Sequence, residues 1–261
     1  MKIVVLANNY SMTTATALAH LLKKNEVDVV SVITVRGLFK KKSMFGSILY
    51  SVNHLGLRYT VNKFLLWLQI KLRAASPKYF RLGNEKIYYS LDELKKKVDF
   101  EEKQLDDINS EKAERYLKNL NPDIIFSLSF PYILKENILR IPKLGTINLH
   151  RSYLPKFRGG SPVFWVRAMG EKSTGFTIHH ISEGAVDSGN ILIQKRIEID
   201  YKRDSHKKIM LKLCNLIPEA LDQLFSKING ELPVGIEQNE EEASSFRKPD
   251  KSVRVKYGIW D

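Results

Sequence analysis

Residues 145–165 read GTINLHRSYLPKFRGGSPVFW. Asn148 and His150 stand two apart in this run. If GTIN is a strand, alternate side chains share a face, so both residues project together where the strand ends. Open α/β sheets bind ligands beyond the carboxyl ends of their strands. An amide donor beside an imidazole suits attack on a carbonyl. Asn148 can donate to the developing oxyanion, and His150 can share that role and move a proton. The imidazole pKa, near neutrality, fits the second task. Pro155 fixes φ and ends the strand. Gly159 and Gly160 allow close backbone approach or positive φ. Arg158 can clamp an anion or tie down the loop. Pro162 can start a helix, with Ser161 as its cap. A carboxylate to complete the set stands in EGAVDSGNIL, where Asp187 lies between Gly184 and Gly189. An acid in a glycine-flanked loop is as readily a turn residue, so spacing alone leaves its role open.

The elements that must hold these residues read as an α/β fold. Residues 2–7 are a β-branched run, 8–11 a polar turn, 13–24 a helical pattern and 27–35 a second β run. That order is the signature of a βαβ unit in a parallel sheet. The turn opens a helix, a place that attracts anions, but it holds no GxGxxG. Helices are expected over 90–100 and 110–120, the second capped by Ser110. Strands are expected over 122–128, 145–150, 174–181 and 190–199. A helix over 205–229 takes Ser205 as cap and Gly230 as stop, with Pro218 kinking or splitting it. EQNEEEASS is an acidic surface stretch, and the end of the chain is expected to add an edge strand. In the 174–181 strand His179 and His180 face opposite ways, so they cannot both be catalytic; one of them can line the site, and the sequence favours a structural role.

With 261 residues, the chain is long enough for one large domain or one domain plus an appendage. Lys and Arg number 42 against 29 Asp and Glu, a net charge of +13. Such an excess suggests an anionic partner: a phosphorylated substrate, a polyglutamyl cofactor, nucleic acid or a membrane surface. Residues 37–84 hold nine of the basic residues and no acidic one. Three readings compete for this aromatic-rich insert: a helical element packed on the sheet, a lip over a phosphate-bearing substrate, and a membrane-surface helix. Cys214 is the single cysteine and sits in the apolar run LKLCNLI, so it reads as a small buried hydrophobe. A lone cysteine, an N-terminus without a signal-peptide pattern and no long apolar run lead to the expectation of a cytoplasmic protein. No His, Cys or Asp spacing resembles a metal site.

Three stretches then resemble one family in order and spacing: PDIIFSLSFPYILKENIL, PKLGTINLHRSYLPKFRGGSPVFW and GEKSTGFTIHHISEGAVDSGNILIQ. They are similar to the formyltransferases that use 10-formyltetrahydrofolate, among them the methionyl-tRNA, glycinamide ribonucleotide and sugar N-formyltransferases. The match runs over roughly residues 121–199, with a weaker likeness at the first βαβ unit. The resemblance implies a Rossmann-like α/β catalytic domain with a mostly parallel sheet over 1–204, a basic helical insert at 37–84 and a C-terminal helix and tail over 205–261. The family's Asn, His and Asp fall on Asn148, His150 and Asp187. The loop from Ile181 to Asp187 is one residue longer than in the tRNA enzymes.

The resemblance further implies a one-carbon transfer with 10-formyltetrahydrofolate as donor and no metal. An acceptor amine attacks the formyl carbon, Asn148 and a protonated His150 stabilise the tetrahedral oxygen, and Asp187 orients His150 or relays the proton. The pterin pocket would be built from Phe130, Pro131, Tyr132, Ile133 and Leu134, and from Ile181, Ser182, Glu183, Gly184 and Val186. Arg158 and Gly159 would meet the substrate. The short stretch after the last motif strand argues against the tRNA branch, which carries a β-barrel there. The PKFRGG pair argues against the glycinamide ribonucleotide branch. The expected acceptor is therefore an amino sugar on a nucleotide, rather than nucleic acid or a membrane; weak surface association through 37–84 and a homodimer stay open. Two rival classes are a formyltetrahydrofolate hydrolase, which brings a regulatory domain in front, and a non-catalytic folate-binding protein.

Overall fold

The opening run IVVLA contains no polar residue, the pattern of a strand covered on both faces. The computed structural model describes residues 1–35, 44–75, 81–82, 85–181 and 183–260. The first elements in chain order are β1 (Lys2–Ala7), α1 (Met12–Leu21), β2 (Asp28–Val35), α2 (Met44–Leu55), α3 (Leu57–Ala75), β3 (Arg81–Leu82) and β4 (Glu85–Lys86). They are followed by α4 (Leu91–Lys95), β5 (Glu102–Leu105), α5 (Glu111–Leu120), β6 (Ile124–Leu128), α6 (Glu136–Leu139), β7 (Gly145–His150), β8 (Arg158–Gly159) and α7 (Pro162–Ala168). The last are β9 (Ser173–His180), β10 (Ile191–Glu198), α8 (His206–Phe225), β11 (Ser245–Phe246) and α9 (Lys251–Tyr257).

A seven-stranded sheet runs β10-β9-β7-β6-β1-β2-β5. The five strands from β5 to β7 are parallel, and β9 is antiparallel to both of its neighbours. This is the mostly parallel, Rossmann-like α/β architecture expected. Alternation along β1 shows how it is covered. Ile3 and Val5 enter the apolar cluster that holds the buried side of α1 and α8, while Val4 and Leu6 enter the one that holds Ala113 and Leu117 of α5. The crevice at the carboxyl ends of β1 and β6 is closed by polar bonds: Thr14 Oγ1 donates to the Leu128 carbonyl at 2.8 Å, and Ser11 Oγ donates to Ser129 Oγ at 3.2 Å.

Several expectations are corrected in detail. Ser90 caps its helix, but α4 ends at Lys95, and the chain turns to lay Phe100 in the core. β5 (EKQL) carries no strand signal because it is an edge strand, paired on one side only and polar on its exposed residues. Ser110 and Ser205 cap as expected. α8 runs unbroken through Pro218, since Leu213, Cys214, Ile217 and Leu221 are buried on both sides of the missing donor, and it stops at Phe225 rather than at Gly230. Pro162 does open α7, but Ser161 has a left-handed backbone and makes no side-chain cap bond. The tail adds no edge to the main sheet. Instead β11 pairs in parallel with β8, and α9 follows.

The described part of the basic insert forms α2 and α3, with the short β3 at its end. Outside their own pair, α2 contacts α9 and α3 contacts α4. Tyr59 is buried beneath the guanidinium of Arg254 at 4.0 Å, and Arg254 also lies 5.1 Å from the Phe164 ring. Beyond this anchor, residues 61–69 of α3 are all exposed. Lys40, Lys41 and Lys42 lie outside the described residues.

Cys214 is buried against Ile87 and Leu211, and burial pushes its thiol up to about 12. The thiolate is the reactive form, so a thiol reagent should modify the native protein at least about a thousandfold more slowly than the urea-unfolded chain. Comparable rates in the two states would place the sulfur elsewhere.

Candidate active site

β7 and β9 are antiparallel neighbours, and their register sets Asn148 opposite His179 and His150 opposite Thr177. The period of two then lines Asn148, His150 and His179 along one face. The chain leaves β9 through residues 181–190 and folds back, so that Asp187 reaches over the end of β7. Asp187 has a left-handed backbone (φ 57°), a conformation that Asp tolerates better than most residues. Gly189 lets the return strand approach closely, because a Cβ there would lie 2.0 Å from the His180 carbonyl oxygen.

The Asp187 carboxylate is where the donors meet. Oδ2 accepts from the Gly159 N–H at 2.8 Å and faces His150 Nδ1 at 3.2 Å. Oδ1 accepts from Asn148 Nδ2 at 3.2 Å and faces His179 Nε2 at 3.4 Å. Burial works to raise the Asp187 pKa, but the charge of His150, the hydrogen bond and charge of His179 and the Gly159 N–H outweigh it, and the carboxyl is held well below the usual carboxylate range. Asp187 is therefore ionised at any ordinary pH.

His150 is buried, and its Nε2 donates to the Phe157 carbonyl at 2.8 Å while Nδ1 faces Asp187. Both nitrogens thus meet acceptors, the arrangement that holds an imidazolium. Burial pushes the ring pKa down, and the Asp187 charge and the Phe157 carbonyl act against this without overcoming it. The ring has two acceptors ready for a proton that its surroundings make it reluctant to hold at rest. His179 Nδ1 donates to the His180 carbonyl at 2.7 Å, and its Nε2 meets Asn148 Nδ2 at 3.1 Å. Asn148 Nδ2 therefore directs a hydrogen to Asp187 and lies within reach of His179. Chemically, this is a half-buried amide donor and a proton carrier, each within hydrogen-bond reach of one ionised carboxylate.

The structure brings together Asn148, His150 and Asp187, the three residues singled out for chemistry in the sequence. It also brings Phe130, Tyr132, Leu134 and Ile181 into one apolar cluster, a wall beside the carboxyl end of β6. Ile133 and Pro131 are exposed, and the Ile133 carbonyl accepts from Asn109 Nδ2 at 3.0 Å. Across from them Glu183 lies 3.8 Å from Arg140, Gly184 takes φ 116°, and Val186 is half-exposed. Ser182 lies outside the described residues. Among the described residues no group of three or more His, Cys, Asp or Glu is arranged to hold a metal ion.

Arg158 and Gly159 make contacts within the protein. The Arg158 side chain is buried, with Nε and Nη2 donating to Gln238 Oε1 at 3.1 and 2.8 Å and the Nη groups paired with Glu240. Of its two sequence roles it takes the loop-tying one. Gly159 gives its N–H to Asp187. Sequence reasoning misses two residues. His179 reads as structural from the sequence, and only the β7–β9 register shows that it faces Asn148. Gln238 gives no signal at all. It is buried, and its Nε2 donates to the carbonyls of Asp187 at 2.9 Å and Gly189 at 2.8 Å. The tail reaches it through an Ile191–Ile236 bridge and the His180 Nε2 bond to the Pro233 carbonyl at 2.7 Å.

Residues 84–223, more than half of the chain, match the family described as formyl transferase. Over 107 residues the chain is 51% identical to the bifunctional polymyxin resistance protein ArnA of Wigglesworthia glossinidia brevipalpis, covering 41% of this chain and 16% of that protein. Over 122 residues it is 41% identical to the methionyl-tRNA formyltransferase of Kosmotoga olearia, covering 47% of this chain and 39% of that one. The chain thus matches less than half the length of either relative. In structure it is similar to an N-formyltransferase from Helicobacter canadensis, solved with folinic acid and dTDP-3-aminofucose (TM-score 0.57, 19% identity, 94% of this chain and 70% of that one). It is equally similar to glycinamide ribonucleotide transformylase 1 from Symbiobacterium toebii (TM-score 0.56, 17% identity, 88% and 92%). At these identities the two structures establish the fold alone.

Because Gln238 satisfies Arg158 and two loop carbonyls at once, Gln238→Leu should lower the unfolding free energy by about 2–4 kcal/mol in urea titration. Amide exchange should also quicken at 184–189. An unchanged midpoint with unchanged exchange would show that the tail does not hold the Asp187 loop.

Proposed function

The chain belongs to the formyl transferase family, and we propose that it transfers a formyl group from 10-formyltetrahydrofolate to a primary amine, that of an amino sugar carried on a nucleotide. The observation that carries this reading is the meeting of Asn148, His150 and Asp187 within hydrogen-bond distance, with two ring nitrogens of His150 facing acceptors. When bound, the folate supplies an activated formyl group. Phe130, Tyr132, Leu134 and Ile181 offer an apolar wall of the kind that holds a flat ring, and the exposed backbone at 131–133 and 183–186 offers polar groups for its edge.

In the proposed reaction the amine nitrogen bonds to the formyl carbon and the carbonyl oxygen becomes an oxyanion. Asn148 Nδ2 turns a hydrogen from Asp187 or His179 to that oxygen. Negative charge beside His150 offsets the burial that keeps its pKa low, so the ring takes the proton shed by the amine, held by Asp187 and the Phe157 carbonyl. Collapse breaks the carbon–nitrogen bond to the folate, and the proton held by His150 passes to the leaving nitrogen. Asp187 stays ionised throughout and orients the ring. Preorganised donors of this kind are worth about 10²–10³ in rate each.

Two features favour a phosphorylated acceptor. The net charge is +13, and Arg151, which follows His150 in the chain, has no acidic partner among the described residues. A phosphate would supply the missing counter-charge. The N-formyltransferase of H. canadensis was solved with a nucleotide-linked amino sugar. A second reading is formylation of charged tRNA, favoured by the 41% identity to the K. olearia enzyme and by the same basic charge.

The test mixes the protein with 10-formyltetrahydrofolate and follows tetrahydrofolate absorbance. Release only with an aminosugar nucleotide is the expected result. Release only with charged initiator tRNA would move the chain to the second reading. Release without any acceptor would make it a hydrolase, and no release with any amine would make it a folate binder; both outcomes overturn the proposal.

A further inference from the structure

Helical spacing on α3 gathers Leu57, Val61, Phe64, Leu65, Leu68 and Leu72 into one stripe about a third of the circumference wide. All six are between 38% and 64% exposed. Ile48 and Leu49 of α2, which packs beside α3, are 47% and 51% exposed, and Trp67 borders the stripe at 41%. So many large apolar side chains in one patch mark an interaction surface. The anchor is on the other side of the helix, where Tyr59 sits under Arg254, so the stripe is turned away from the body of the protein.

Charge selects the occupant. Residues 37–84 carry nine Lys and Arg and no acidic residue. A second copy on this face would bring two such segments together and repel. A surface that is apolar within and anionic at its rim matches it. We propose that the α2–α3 hairpin docks on an anionic lipid bilayer, the α3 stripe lying at the boundary of headgroups and acyl chains. No helix among the described residues is long and apolar enough to cross a membrane, so the mode is surface contact. This inference is independent of the chemistry proposed for Asn148, His150 and Asp187.

The test uses the full chain and phosphatidylcholine vesicles with and without phosphatidylglycerol. Co-sedimentation should be strong with the anionic vesicles and at least about tenfold weaker with neutral ones, and should fall as salt rises from about 0.1 M to about 0.5 M. Leu65→Ser with Leu68→Ser should weaken it about tenfold while formyl transfer in solution is retained. If that variant does not fold, the wild type carries the test through Trp67: its emission should shift to the blue with anionic vesicles, and Trp67→Phe should abolish the shift. Absence of binding to anionic vesicles, equal binding to neutral ones, or a dimer in sedimentation velocity that Leu65→Ser with Leu68→Ser dissolves would each overturn the proposal.

Discussion

A buried carboxylate is the constraint on which the rest of this site depends. Asp187 is 11% exposed and ionised, and an ion withdrawn from water costs several kcal/mol unless donors surround it. The groups around it come from four residues: the Gly159 N–H of β8, Asn148 and His150 on β7, and His179 on β9. Holding one charge therefore fixes two strands and two loops relative to one another. The tail holds the same loop from behind, through Gln238. The balance on His150 depends on this arrangement, because burial favours the neutral ring while the carboxylate and the Phe157 carbonyl act against it.

The sheet explains why the carboxylate can be there. Up to β7 the strands are parallel, and each connection crosses a face. β9 breaks that pattern by running antiparallel, so the loop after it returns over the sheet instead of crossing it. The return places residue 187 above residues 148 and 150, close in space although well separated in sequence. β8 and β11 then clamp the glycine-rich loop, and Arg158, paired with Gln238 and Glu240, ties it to the tail.

Much of this was legible in the sequence because the signals were local. β1 and β6 announced themselves as apolar runs, Ser110 and Ser205 as caps, and Asn148 with His150 as a same-face pair. What was not legible depended on tertiary neighbours. β5 is polar because it is an edge. α8 passes Pro218 because buried side chains hold both halves. His179 belongs to the site only through its register with Asn148, and Gln238 only through a tail whose path no pattern specifies. Arg158 offered two roles, and its choice was made by two residues some eighty positions away. The apolar stripe of α3 was visible as periodicity, but whether it faced the sheet or solvent was not.

The most direct measurement of the role of Asp187 compares Asp187→Asn with the wild type, taking kcat for formyl transfer and the dissociation constant of the folate side by side. With the fold confirmed by near-ultraviolet circular dichroism, kcat should fall at least about a hundredfold while folate affinity stays within about threefold, because the carboxylate acts on His150 and not on the cofactor's ring. A folded variant that turns over at the wild-type rate would contradict the claim that this charge organises the chemistry.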